Sequence, residues 1–180
     1  MRLVLFLFIL LTSQAAMAQT PIPEEQANQF FSACSLTVDP RLTAKNQESM
    51  CACNAAYMLE HMSVEDVQTM AQNTPEGRLA LNKMLIEVYA PCMNFAVHDL
   101  LLTQCLRDPK VKALGANMPV QDICRCTAET TSSWFAKEGR EQMREVLKQN
   151  PNIYDPIEPV MSTPSFQKQA YENMVACITL

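Results

Sequence analysis

Apolar residues recur at helical spacing along most of the chain. Leu81, Met84, Leu85, Val88 and Cys92 follow one another at intervals of one, three or four and share one helical face. Leu101, Leu102, Cys105 and Leu106 do the same further on. No apolar/polar alternation runs long enough to suggest a strand. The polar punctuation agrees with helices. Asp39-Pro40, Asp108-Pro109, Thr74-Pro75 and Thr163-Pro164 each place a capping side chain before proline, which suits the first helical position, and Asn117-Met118-Pro119 is a looser version. Ser63-Val64-Glu65-Asp66 reads as a capping box with Asp in the reciprocal position. Pro91 is read as opening a new helix just after the previous one ends. The pattern predicts helices near 24–36, 45–61, 63–72, 75–90, 91–107, 119–134, 136–149 and 164–178.

The first eighteen residues follow a different pattern. Arg2 precedes an uncharged apolar run, Leu3 to Leu11, and Ala16-Met17-Ala18 puts small residues where a signal peptidase needs them. An export signal over residues 1–18, cleaved before Gln19, is expected. Its apolar run is well short of the ~20 residues that span a bilayer. No later segment is long and apolar enough to span, so no transmembrane segment is expected in the mature chain. The first cysteine is Cys34, so no lipid-modified cysteine is expected at the cleavage site, and no Asn-x-Ser/Thr sequon with a permitted middle residue occurs. The reading is a bacterial protein of the periplasm or the extracellular space.

Eight cysteines change the picture most. Cys34, Cys51, Cys53 and Cys92 are followed by Cys105, Cys124, Cys126 and Cys177, and each set reads Cys, Cys-x-Cys, Cys. Other residues hold the same register: Asp39-Pro40-Arg41-Leu42 matches Asp108-Pro109-Lys110-Val111, and Thr74-Pro75 matches Thr163-Pro164. The expected architecture is all-α: a disulfide-stapled helical bundle of two tandem four-cysteine helical repeats, about eight helices in all. The first repeat is placed at 19–93 and the second at 94–180. The second carries a Pro-rich insert at 151–162, read as an ordered loop or a flexible segment. An exported chain meets an oxidising compartment, so four disulfides are expected within the repeats. Two cysteines two apart on a helix point about 200° away from each other, so each should reach a different neighbour. Which neighbour each takes is left open by the spacing.

Composition narrows the function. Removing 18 of the 180 residues leaves 13 basic and 19 acidic side chains, a net charge of −6. That balance argues against nucleic acid, whose phosphates need a basic stripe, and against anionic membranes. With three glycines, no Gly-x-Ser-x-Gly nucleophile turn exists, and His61 and His98 sit in no catalytic motif.

Three specific chemistries compete with a purely structural role for the cysteines. Cys124-Arg125-Cys126 near a helix start is the place for thiol–disulfide exchange, which needs an exposed, electropositive thiol. Met58, His61 and Met62 share a helical face and offer soft ligands for copper, but the second repeat has no matching histidine. An apolar ligand carrier would need an enclosed cavity of a few hundred Å3. Trp134-Phe135 reads as a buried anchor. The favoured reading is a non-enzymatic exported protein that acts by binding another protein, as scaffold, inhibitor or effector, with no cofactor. It expects an exposed apolar patch between the two repeats.

Overall fold

A computed structural model describes residues 19–114 and 119–179; the expected signal segment and Asn117-Met118 lie outside them. The helices are α1 (Glu24–Leu36), α2 (Ala44–His61), α3 (Val64–Met70), α4 (Pro75–Met84), α5 (Ala90–Cys92), α6 (Asn94–Arg107), α7 (Pro109–Leu114), α8 (Val120–Gln149), α9 (Ile157–Met161) and α10 (Pro164–Ile178), with a π turn over Leu85–Tyr89. The protein is all-α; among the described residues only an isolated bridge, Pro21 to Ser63, has β character.

The capping signals decide most boundaries. Thr74 and Thr163 accept hydrogen bonds from the amides of Gly77 and Phe166, each with proline next in line. Ser63 and Asp66 close the capping box reciprocally. Asp39 departs from expectation. It caps no helix, because its carboxylate is taken by Arg41, and α2 starts later with Thr43 as its cap. Asp108 does accept from the amide of Lys110 and starts α7, a short helix absent from the predicted set.

Two boundaries were placed wrongly by the pattern. The segments 119–134 and 136–149 form one helix of 30 residues. Nothing at Trp134-Phe135-Ala136 breaks it, and both aromatics face neighbours: Phe135, Phe166 and Trp134 meet edge to face with ring centroids 6.0–6.3 Å apart. Pro91 does not open a separate helix. It lies in α5, continuous with α4 through the π turn, whose wider ring lets the amide of Ala90 reach the carbonyl of Leu85. A proline clashes with the carbonyl four residues back, and one loosened turn accommodates it. The bend comes after Cys92, where the run from Pro75 meets α6 at 63°.

α8 is the spine. α6 and α10 pack along it, and α5 crosses it. Gly139 sits at that crossing: a Cβ there would lie 2.7 Å from the carbonyl oxygen of Ala90. The largest core cluster draws on both halves of the chain, from Met50, Leu85 and Met93 to Val97, Met143 and Phe166. Residues 151–162, expected as an insert, are ordered: Ile153, Ile157, Val160 and Met161 are buried in that same cluster. Among the described residues, no single helix is long and apolar enough to cross a membrane.

Candidate interaction surface

The eight cysteines form four disulfides: Cys34–Cys51, Cys53–Cys92, Cys105–Cys124 and Cys126–Cys177. Each Cys-x-Cys splits between two neighbours, as helical geometry requires. Cys51 ties α2 to α1 and Cys53 ties it to α5; Cys124 ties α8 to α6 and Cys126 ties it to α10. Cys51, Cys92 and Cys124 are fully buried, and no free cysteine occurs among the described residues. Arg125 is exposed between two bonded sulfurs that point to different helices.

The structure separates the remaining sequence candidates. Met58 and Met62 are buried against Ile22, Ala27 and Val88, whereas His61 stacks on Tyr57 at 5.5 Å with its side chain about a third exposed. The described residues contain no cluster of three or more His, Cys, Asp or Glu arranged for a metal. Clefts of about 230 to 550 Å3 open onto the surface. Phe135 is buried, as read from the sequence, and Trp134 is half-buried.

A buried carboxylate is the feature the sequence reading missed. Asp99 accepts from the amide and hydroxyl of Thr43 (2.6 and 2.8 Å), from Asn46 Nδ2 (2.6 Å), and lies 3.1 Å from His98 Nδ1. Burial raises the pKa of Asp99, but these hydrogen bonds outweigh it and hold the carboxyl below its ordinary value. The signal was visible: one acid inside the apolar stretch Phe95 to Leu102. The cluster fixes the start of α2 on α6, and its hydrogen bonds are satisfied internally.

Among the described residues the large exposed apolar side chains are Leu59, alone on α2, and three pairs. Tyr171 and Val175 lie on α10, and Leu79 and Tyr154 lie near the meeting of the two halves, where Arg78 stacks over the Tyr154 ring at 4.5 Å. The third pair is at the α1–α2 connection, where Leu36 and Val38 are 83% and 78% exposed. This connection is held firmly. Gln47, buried on α2, donates from Nε2 to the carbonyls of Thr37 (2.6 Å) and Cys34 (3.2 Å) and accepts from the amide of Asp39 (3.0 Å). The Cys34–Cys51 bond anchors its first end, and Arg41 pairs with Asp39 at 2.8 Å at the other. Beside it a cleft of about 400 Å3 is lined by Phe31, Val38, Leu42 and Glu48.

No protein-family model, curated protein or solved structure matches this chain. The surface itself therefore carries the functional argument. Leu36, the last residue of α1, and Val38, on the connection behind it, leave two large aliphatic side chains in water.

Proposed function

We propose that the protein is an exported, non-enzymatic, disulfide-stabilised binding protein that engages a partner protein through the α1–α2 connection. The observation that carries this reading is the pair Leu36 and Val38, both strongly exposed where α1 ends and a connection braced by Gln47 and the Cys34–Cys51 bond begins. Entry of both side chains into an apolar pocket on the partner would bury surface worth ~1.5–3 kcal/mol each. Four disulfides fit an oxidising compartment. The Ala16-Met17-Ala18 motif supports export before Gln19.

Site-specific photo-cross-linking tests it. A benzophenone amino acid at Val38, in protein exported by its native host, should give one discrete adduct. Leu36→Asp should abolish that adduct, and the same probe at exposed Lys148 should not produce it. Identical products from Val38 and Lys148, or none from Val38, would overturn the reading.

A further inference from the structure

Arg78 differs from the other basic side chains. Those without a carboxylate partner, such as Lys45, Arg107 and Arg125, are exposed, and water solvates their charge. The half-buried ones, Arg41, Lys83, Arg140 and Arg144, each hold a carboxylate. Among the described residues Arg78 alone is half-buried and meets none. Its Nη1 is buried and makes no hydrogen bond. Its Nη2 donates to the Tyr154 hydroxyl at 2.6 Å, and the Tyr154 ring lies 4.5 Å from the guanidinium. A ring face and a phenol oxygen do not neutralise the charge, and drawing an unpaired charge out of water is costly. The nearest acids in the chain do not supply the partner. Asp155, beside Tyr154, pairs with Arg41 at 3.1 Å, and Glu76 is exposed and forms no ion pair.

Arg78 lines an open cleft of about 400 Å3 formed by the α3–α4 turn, the start of α4 and Tyr154. Met70 and Leu81 give it apolar walls, Gln72 and Asn73 add side-chain amides, and Arg78 is its one charged lining residue. The other clefts described above are each lined by at least one carboxylate: Asp108, Glu48, Glu24 with Glu25, or Glu129. The Tyr154 hydroxyl accepts from Arg78, and its own hydrogen has no acceptor among the described residues. A phenol that accepts from a cation is a stronger donor in turn. The guanidinium and this hydroxyl together offer the donors that an oxyanion takes.

We propose that this cleft binds a small organic anion. Its carboxylate or phosphate group is held by the Arg78 guanidinium and the Tyr154 hydroxyl, and a short apolar chain lies against Met70 and Leu81. The Tyr154 ring, 72% exposed, turns to uncover Nη1 as the anion enters. The cleft does not include Leu36 or Val38, so the inference stands independently of the protein-binding reading.

Nuclear magnetic resonance titration of the isotope-labelled mature protein with butyrate and with butyl phosphate tests it, the two arms telling a carboxylate ligand from a phosphate one. At least one of them should shift the Asn73 and Gly77 amide resonances in a saturable manner. Butylammonium should shift neither, and inorganic phosphate should bind more weakly than butyl phosphate. Arg78→Met keeps the aliphatic stem and should lower affinity about tenfold or more. Tyr154→Phe keeps the ring over the guanidinium and should lower it roughly threefold. Resonances outside the cleft should hold their positions in both variants; should Arg78→Met fail to fold, Tyr154→Phe decides. No saturable shift with either anion, equal shifts with butylammonium, or affinity unchanged by the substitutions overturns the proposal. Inorganic phosphate bound as tightly as butyl phosphate also overturns it, as the mark of an adventitious ion only.

Discussion

Asp99 shows how one buried acid can fix the relation of two helices. Its carboxylate satisfies the Thr43 amide at the start of α2 while standing on α6. Asp99→Ala should cost ~1.5–3 kcal/mol, the worth of hydrogen bonds to a charged acceptor. Urea denaturation of the variant checks this. The pH dependence has a definite sign. A carboxyl whose folded pKa lies below its unfolded value stabilises the fold above the unfolded value, and that stabilisation is lost as pH falls through the folded one. Asp39 and Asp66 are lowered as well, the first chiefly by its hydrogen bond from Arg41, the second by Lys83 and the Ser63 amide against the cost of burial. Stability should therefore decline as pH drops below the ordinary Asp range, and Asp99→Asn should flatten that decline when melting temperature is followed against pH. Gly139 makes a second residue-scale prediction. A methyl there meets the Ala90 carbonyl and the Phe135 ring, so Gly139→Ala should destabilise by ~1–3 kcal/mol despite its better helix propensity, as thermal unfolding would report.

At the scale of elements, each disulfide joins a helix carrying a Cys-x-Cys to a different neighbour. In the chain-entropy account, longer closed loops gain more, ~3–4 kcal/mol for loops of these lengths. Removing Cys126–Cys177, separated by 51 residues, by paired Ser substitution should therefore cost more than removing Cys34–Cys51, separated by 17. Chemical denaturation of the two variants side by side measures the difference. Much of this level was legible beforehand. Ser63, Thr74 and Thr163 marked helix starts because capping is a local interaction between residues close in sequence. What escaped was non-local. Asp39 looked like a cap until Arg41 claimed it, and that pairing also engages Asp155 at 3.1 Å, far along the chain. The length of α8 escaped for a related reason: Trp134 and Phe135 looked like a junction, but packing on Phe166 makes them a midpoint. The Leu36–Val38 surface was equally invisible, because exposure of an aliphatic residue depends on everything that fails to cover it.

The whole molecule is held across its midline by polar contacts as well as by the shared core. Arg41 meets Asp155, Arg78 meets Tyr154, and Glu87 meets both Arg140 and Arg144. Exposed pairs of this kind contribute ~0–1 kcal/mol each, so the common apolar cluster does most of the joining. Mass spectrometry of the protein recovered from its host, with and without alkylation, should find Gln19 at the N-terminus and no alkylated cysteine. An intact Leu3–Leu11 segment or any modified thiol would contradict export into an oxidising compartment.

The order of the disulfides has a consequence for biogenesis. Each cysteine is bonded to its immediate partner in the series, first with second, third with fourth, and so on to the end. Eight cysteines permit roughly a hundred complete pairings. This one alone needs no thiol to wait while later ones pass. A chain threaded through a translocon from its N-terminus can be oxidised bond by bond as it emerges, and every bond made in that order is final. Its maturation should depend on a thiol oxidase and be indifferent to the loss of a disulfide isomerase.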